Sequence, residues 1–238
     1  MRLINLSEFE PIFEPLSGLT VGIVDGMGNV GDQLLYLAVR QFCKEFNVGH
    51  FTVNAIAEDP VPKCDKLLLF GGGNIGYPPA AAIRAKALES GIPCWLLPQS
   101  VIRHEDLKCE KMFFRESVSR DIIGRGELAP DLALGFDFPE TDIMKNGSGT
   151  FLRKNGGSIH HHTRHELKVD PATFCHIPED YWNFVDRFKE ITTDRLHLAI
   201  CALGMKTEAT LLPINYHKNL AMFEEWLEPL GCHWRNHA

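Results

Sequence analysis

Two patterns of apolar and polar positions alternate along the first 147 residues, one typical of strands and one typical of helices. Short apolar runs of the strand type are followed by polar or glycine-rich clusters, and most then lead into segments with helical spacing. After the first run, Leu34, Leu35, Ala38 and Phe42 fall on one face of a helix. This alternation predicts a mostly parallel sheet covered by helices. The runs that predict strands are "TVGIVD", "KLLLF", "IPCWLL" and "KMFF".

A second, smaller α/β unit is predicted after residue 147. Residues 135–149 are rich in Gly, Pro and polar residues and lack apolar periodicity, as expected of a linker. We therefore predict an N-terminal Rossmann-like domain over 1–147 and a reduced C-terminal α/β domain over 148–238, with the two sheets facing each other across a ligand site. The C-terminal elements are predicted from "GTFLRKN", "PEDYWNFVDRF", "KEITTDRLHLAICALG", "TLLPIN" and a helix over 219–230.

Polar and glycine residues stand at the ends of the predicted N-terminal strands. In open α/β folds the ligand binds at the carboxyl edge of the sheet. Asn29, Asp32, Gly72 and Asn74 occupy such positions in "GNVGD" and "GGGN". These residues could hold substrate hydroxyls, and Asp32 could also act as a base. The alternative is that they are helix caps and turn residues.

The hexapeptide "GMGNVG" satisfies the G-x-G-x-x-G pattern of dinucleotide-binding folds. That fingerprint also needs an acidic residue about 20 positions on, at the end of the next strand. After "HFTVNAI" the first acidic residue is Glu58, 27 positions beyond Gly31. We therefore expect no dinucleotide cofactor. A tight turn into a helix capped by Asp32 is sufficient for the glycines, but it leaves the combination "GNVGD" unexplained.

Charge and composition exclude several classes of partner. The 238 residues carry a net charge of −7, and affinity for a phosphate backbone rests on clustered Lys and Arg, so we expect no nucleic acid partner. Residues 148–238 hold ten Lys and Arg against eleven Asp and Glu, which leaves 14 against 20 for residues 1–147. An anionic small molecule is therefore expected on the C-terminal side. With no export-signal pattern and no run of about 18 apolar residues, we expect no membrane span and a cytoplasmic location.

Cysteine and histidine patterns do not predict a metal or a cofactor. The seven cysteines form an odd set without a C-x-x-C pair, which indicates packed, reduced thiols. The tract His160, His161, His162 with His165 contains imidazoles, but ligands adjacent in sequence rarely converge on one ion. We interpret the tract as a flexible loop and expect no bound metal.

The run "ITTDRLHLAICALG" places Arg195 and His197 at the start of an otherwise apolar helix. Thr192 or Thr193 is expected to cap this helix, and Gly204 to end it. Its apolar face is predicted to comprise Leu196, Ala199, Ile200 and Leu203. Helix N-termini favour anions, and both Arg195 and His197 could reach one there. The alternative pairs Arg195 with Asp194 and makes His197 an ordinary packed histidine.

These motifs, taken in order, resemble the polysaccharide pyruvyl transferase family. They extend over most of the chain, from about residue 20 to residue 230. The resemblance implies a GT-B-like layout of two Rossmann-like domains and transfer of pyruvate from phosphoenolpyruvate onto two sugar hydroxyls as a cyclic ketal. The matching segments are "GNVGDQLL", "GGGN", "PQS", "FRESVS", "PDLAL", "FLR", "DRLHLAICALG" and "PINYHKN".

The resemblance also implies roles for individual residues. Arg153, Arg195, Leu196 and His197 would form the donor site, and Lys218 would add positive charge. His197 would act as a proton donor or would stabilise the departing phosphate. The alternatives are that Arg153 is a solvated loop residue beside Lys154 and that Lys218 is simply solvated.

The second domain is shorter than the family pattern implies, since only 41 residues separate Arg153 from Arg195. Two other functions therefore stay open. The chain could be a GT-B glycosyltransferase that uses a nucleotide sugar, or a non-catalytic relative that binds a sugar or an anion. The expected partners are a small-molecule donor and a sugar acceptor, and the oligomeric state is open.

Overall fold

The computed structural model describes residues 1–25, 28–57, 60–69, 72–154, 157–160 and 169–237. The chain divides into two compact units, each named here after the sheet at its centre. The six-stranded unit comprises Ile4–Gly28 and Leu35–Gly135, and the four-stranded unit comprises Met1–Leu3, Asn29–Leu34 and the chain from Phe136 onward. The domain boundary between residues 147 and 148, and the facing arrangement of the two sheets, stay predictions.

The six-stranded unit is built on a parallel sheet. Its strands, over the described residues, are β1 (Thr20–Val24), β2 (Gly49–Val53), β3 (Lys66–Leu69), β4 (Cys94–Gln99), β5 (Lys111–Phe114) and β6 (Glu127–Leu128). They lie in the order β2-β1-β3-β4-β5-β6, and each neighbouring pair is parallel. The central strand β4 is buried at every position, as expected of a strand covered on both faces.

Helices join β1 to β2, β3 to β4 and β5 to β6, as the sequence pattern predicts, and a further short helix precedes β1. They are α1 (Glu10–Phe13), α2 (Val30–Glu45), α3 (Pro78–Glu89) and α4 (Ser117–Ile123). The predicted apolar face of α2 is buried, and the ring of Phe42 stacks 4.5 Å from that of Phe9 and 4.9 Å from that of Phe13, measured between centroids. The helix thus packs through its apolar face.

The four-stranded unit repeats the same α/β construction at smaller size. Its described strands are β7 (Ser148–Phe151), β8 (Glu190–Thr193), β9 (Glu208–Leu211) and β10 (His233–Trp234), and its described helices are α5 (Pro178–Val185), α6 (Leu196–Gly204) and α7 (Lys218–Met222). The strand order is β10-β9-β8-β7, again with parallel neighbours. The predicted α/β fold with two Rossmann-like units, the second one reduced, is confirmed.

The segment predicted as a linker is held to the four-stranded unit by Lys145, which contacts the buried Asp186. Nζ of Lys145 lies 2.8 Å from Oδ1 of Asp186 and donates to the carbonyl of Met205 and to Oγ1 of Thr207. The hydroxyl of Thr141 donates to the second oxygen of the Asp186 carboxylate at 2.5 Å. This anchor precedes β7, so the segment enters the sheet from a fixed position.

The C-terminal helix is less regular than the predicted span over 219–230. The α-helix α7 ends at Met222, and the chain continues as a wider turn over Phe223–Leu227 and a tighter one over Glu228–Leu230. Pro229 has no N–H to donate, which accounts for the change in hydrogen bonding at the end. Gly231 follows in the left-handed conformation and terminates the segment.

None of the helices in the described ranges is long and apolar enough to cross a membrane.

All seven cysteines are free, and burial raises the pKa of Cys43 to about 12 and that of Cys109 to about 11. Thiols with such pKa values stay protonated near neutral pH and are poor nucleophiles.

Candidate active site

Three neighbouring parallel strands of the four-stranded unit end at one edge of its sheet. Arg153 comes two residues after β7, Arg195 comes two residues after β8, and Lys218 opens α7 in the segment after β9. Residues that follow adjacent parallel strands emerge at the same edge, which is where open α/β sheets bind ligands. The fold therefore brings these three cationic residues of the predicted donor site to one edge.

The helix that follows β8 begins later than a threonine cap would require. Arg195 is the residue before the first helical turn, and its side chain makes no capping hydrogen bond. Thr193 instead accepts the backbone N–H of Arg195 on Oγ1 at 3.0 Å, so the predicted cap by Thr192 or Thr193 is wrong. Leu196 is the first residue of α6, and the predicted apolar face is buried. The N–H of Leu198 donates to the carbonyl of Arg195 at 3.1 Å, so Leu196 and His197 are the residues of this turn whose N–H groups precede the first hydrogen bond of the helix.

Gly204 ends α6, as predicted, and the structure shows why it is a glycine. A Cβ atom there would lie 2.2 Å from Cδ2 of Phe138. The ring of Phe138 therefore packs directly against the helix backbone.

Arg195 is buried and paired with an acidic residue 25 positions before it. Its Nε donates to Oδ1 of Asp170 at 2.5 Å and its Nη2 donates to Oδ2 at 2.6 Å. Arg195 is only 7% exposed and Asp170 only 2%. Burial opposes the charge of Arg195, but the hydrogen bonds to Asp170 outweigh it and raise the pKa of the guanidinium. The alternative pairing of Arg195 with Asp194 is wrong.

Asp194 serves the other arginine of the predicted donor site. Its Oδ1 accepts the backbone N–H of Arg153 at 2.8 Å and lies 3.8 Å from Nε of the same residue. The Arg153 side chain is only 12% exposed, and Nη2 donates to the Asp194 carbonyl at 3.3 Å. Burial lowers the pKa of Arg153, and Asp194 opposes that shift. Arg153 is therefore held against the protein, and its interpretation as a solvated loop residue is wrong.

Three buried polar atoms at this edge have no hydrogen-bond partner among the described residues. They are Nε of Arg153, Oδ2 of Asp194 and Oδ1 of Asn219. The amide of Asn219 donates to the carbonyls of Asp194 and Leu212, which joins the ends of β8 and β9. Buried polar groups are usually satisfied, so these three exceptions make this edge a candidate place for a ligand.

His197 lies against the glycine of "GNVGD". A Cβ atom on Gly31 would be 2.8 Å from Nδ1 of His197 and 3.0 Å from its Cβ. Such contacts are too short for a real side chain, so His197 occupies its place only because residue 31 is a glycine. The motif that the glycine-turn interpretation left unexplained thus contacts the predicted proton donor.

Asn29 and Asp32 cap the start of α2 through reciprocal bonds. Oδ1 of Asn29 accepts the N–H of Gly31 at 2.9 Å, and Oδ2 of Asp32 accepts the N–H of Asn29 at 2.9 Å. This arrangement is of the capping-box type. The capping alternative is therefore confirmed, while binding of acceptor hydroxyls by these residues stays a prediction.

Gly72 and Asn74 belong to the six-stranded unit. Asn74 accepts a hydrogen bond from Nη1 of Arg84 at 2.9 Å, and Arg84 is paired with Glu105 through Nε and Nη2. Asn74 is therefore part of a local polar network that fixes the turn after β3. Acceptor binding by Gly72 and Asn74 stays a prediction.

Lys218 is also buried, at 9% exposure, and its Nζ lies 5.5 Å from the ring centroid of Tyr216. The interpretation as a solvated lysine is therefore wrong. Two arginines and two aspartates at this edge cancel in formal charge. Lys218 then contributes an additional positive charge at the same edge of the sheet.

Other places in the molecule fit a ligand less well. The described residues contain no group of three or more His, Cys, Asp or Glu that is arranged to hold a metal. His160 binds the carbonyl of Pro213 through Nε2 at 2.9 Å, whereas His161, His162 and His165 lie outside the described residues, as does Glu58. A depression of about 510 Å³ lies at the amino ends of β4 and β5, the edge opposite to the one that binds ligands in open α/β folds.

Sequence reasoning did not identify three polar residues as members of this site, namely Asp170, Asp194 and Asn219. Asp170 precedes Pro171 and accepts the N–H of Ala172, so the local signal indicates only a cap for a short turn. Nothing in that signal points to an arginine in a later element. Asp194 was considered only as a partner for its neighbour in sequence.

Comparison with known proteins identifies a family and a similar fold. A family model described as polysaccharide pyruvyl transferase matches residues 29–216. A crystal structure of a functionally uncharacterised protein from Klebsiella pneumoniae is similar in fold, with a TM-score of 0.74 and 18% sequence identity over 97% of both chains. Comparison with curated proteins finds no match.

The contact between Gly31 and His197 predicts a non-additive pair of substitutions. Gly31→Ala should lower the free energy of unfolding by about 1–3 kcal/mol through overpacking, which exceeds the gain of up to about 1 kcal/mol in helix propensity. In a His197→Ala background the contact with Nδ1 is absent and the one with Cβ remains, so the same substitution should cost less than it does in the wild type. Chemical denaturation of the four variants measures both values. An equal cost in both backgrounds would show that the two residues do not contact each other.

Proposed function

Because the chain belongs to the polysaccharide pyruvyl transferase family, we propose that this transferase moves the pyruvyl group of phosphoenolpyruvate onto two hydroxyls of a sugar or exopolysaccharide precursor as a ketal. The observation that carries the proposal is the buried guanidinium of Arg195 together with the largely buried one of Arg153, beside the first turn of α6. In this proposal residues 148–238 bind the donor and residues 1–147 bind the acceptor, as in a GT-B layout.

The charges at this edge suit the proposed donor. Phosphoenolpyruvate carries a carboxylate and a phosphate, so it requires more than one cationic partner. Asp170 and Asp194 offset the charges of the arginines within the protein, and Lys218, His197 and the first-turn N–H groups of α6 add further attraction for an anion. The arginines then act mainly by geometry, because a guanidinium offers several N–H donors in one plane.

The proposed reaction balances with the donor and a diol alone. Protonation of the methylene carbon makes C2 electrophilic, and the first hydroxyl adds there. Departure of phosphate regenerates an electrophilic C2, and the second hydroxyl closes the ketal. The two hydroxyl protons replace the proton given to the methyl group and neutralise the departing phosphate.

We assign proton transfer in this sequence to His197. An imidazole can donate and accept protons near neutral pH, either to the methylene carbon or to the departing phosphate. Its close packing on Gly31 fixes the ring at the start of α6. Leu196 contributes the first backbone N–H of that helix, and Asn29, Asp32, Gly72 and Asn74 are proposed to bind the acceptor, with Asp32 also a proposed base.

The first test concerns the forked geometry of Arg195. Arg195→Lys keeps the charge but loses the planar set of donors, so phosphoenolpyruvate should bind about tenfold more weakly or worse. Calorimetric titration with phosphoenolpyruvate measures this directly. Arg187→Lys, an exposed position in the same unit, is the matched control and should bind normally. Equal affinity of wild type and Arg195→Lys would contradict the donor role of Arg195.

The second test concerns proton transfer by His197. His197→Asn should leave donor affinity within about tenfold but lower kcat by about 10²-fold or more, the usual range for general acid–base catalysis. Phosphate release with a panel of acceptor sugars gives kcat, and His233→Asn, an exposed histidine of β10, is the control. A variant that loses affinity and keeps kcat would assign His197 to binding instead.

A further inference from the structure

We propose that Asp170 is a positioning residue for donor binding, which holds Arg195 so that one edge of its guanidinium faces the donor. This inference rests on the proposed function of the site. Asp170 occupies the edge of the guanidinium formed by Nε and Nη2, with bonds of 2.5 and 2.6 Å. It does not occupy the edge formed by Nη1 and Nη2.

The remaining edge has the geometry of an anion clamp. A guanidinium carries five N–H donors, and a side-on carboxylate uses two of them. Nη1 of Arg195 makes no hydrogen bond with any described residue, so Nη1 and the second hydrogen of Nη2 form a parallel pair of donors. Such a pair matches two oxygens of a carboxylate or a phosphate.

Asp170 is itself rigidly held, which is what a positioning residue requires. Its Oδ2 also accepts the N–H of Lys154 at 2.9 Å, and its Oδ1 accepts the N–H of Ala172 at 3.1 Å. The hydroxyl of Thr173 donates to the Asp170 carbonyl at 2.7 Å. Burial disfavours its charge, but the bonds from Arg195 and from the backbone outweigh burial and keep the pKa of Asp170 below its usual value.

The same carboxylate also links two strand ends. Lys154 follows Arg153 at the end of β7, and Arg195 precedes α6 after β8. Asp170 thereby fixes the spacing between the backbone of one donor-site arginine and the side chain of the other. A change at Asp170 should therefore affect donor binding before it affects proton transfer.

The Asp170→Asn variant distinguishes a positioning role from a purely electrostatic one, because the two roles predict opposite changes in the affinity for phosphoenolpyruvate. The asparagine removes one negative charge beside an anion site, so an account based on charge alone predicts tighter binding of phosphoenolpyruvate. It also replaces one acceptor with an N–H donor that faces the guanidinium, so Arg195 loses its fixed orientation. We expect phosphoenolpyruvate to bind at least about tenfold more weakly, with kcat at saturating donor within about threefold of wild type.

Two further variants complete the experiment. Asp180→Asn removes a carboxylate of the same unit that accepts the N–H groups of His176 and Ile177, and its affinity for the donor should equal that of wild type. Asp170→Glu retains the charge but displaces the carboxylate, so its affinity should lie between those of wild type and Asp170→Asn. It also carries the test if Asp170→Asn does not fold.

The outcomes are distinct. Wild type that neither binds phosphoenolpyruvate nor releases phosphate from it would overturn the proposed function and this inference together. Wild type that binds the donor, with an Asp170→Asn variant that binds it equally well or more tightly, would overturn the inference alone. An equal loss of affinity in Asp180→Asn would also overturn it, because the effect would then follow the stability of the unit rather than the orientation of Arg195.

Discussion

The buried ion pair between Arg195 and Asp170 is the interaction on which the strand-end site of the four-stranded unit depends. It joins the start of α6 to the turn that begins at Asp170, and through the N–H of Lys154 it reaches the end of β7. Breaking a buried pair on one side costs about 3–5 kcal/mol, because the remaining charge stays buried without compensation. The guanidinium therefore has few orientations available to it, which is the condition for a precise contact with a ligand.

Arg153 is also held by an aspartate, but the hydrogen bonds of this second pair are incomplete. Arg153 is held by Asp194, yet Nε of Arg153 and Oδ2 of Asp194 are buried without hydrogen-bond partners among the described residues. A fully satisfied edge would be a structural network, whereas this one retains donors and acceptors that folding alone does not use. Formal charges cancel within the two pairs, so in the proposed function the recognition of an anion would depend on the direction of N–H groups and on Lys218.

The sequence predicted most of the helices and strands around the site, but not which residues contact Arg195 and His197. The spacing of apolar residues predicted α2, the buried face of α6 and the longer strands, because these depend on a pattern within one segment of the chain. It did not predict the two-residue strands β6 and β10. The spacing also placed Arg153 and Arg195 after strand-like runs, whereas Lys218 was identified only through the family resemblance. The parallel sheet then brings all three to one edge. The Asp170 contact depends on two segments 25 residues apart, and no local pattern records such a pairing. The proximity of Gly31 to His197 was equally inaccessible, since a motif indicates that a glycine is needed but not what approaches it.

Transfer of the pyruvyl group moves C2 of phosphoenolpyruvate onto the sugar, so the fate of that carbon shows directly whether the reaction takes place. Phosphoenolpyruvate labelled with ¹³C at C2 would be incubated with the protein and a panel of sugars, and the products followed by ¹³C NMR and mass spectrometry. We expect a new resonance of a ketal carbon without attached hydrogen, on a sugar whose mass has increased by one pyruvyl residue, with phosphate released in equal amount. Label that appears only as free pyruvate, or that stays in the donor with every sugar tested, would contradict the proposed transfer.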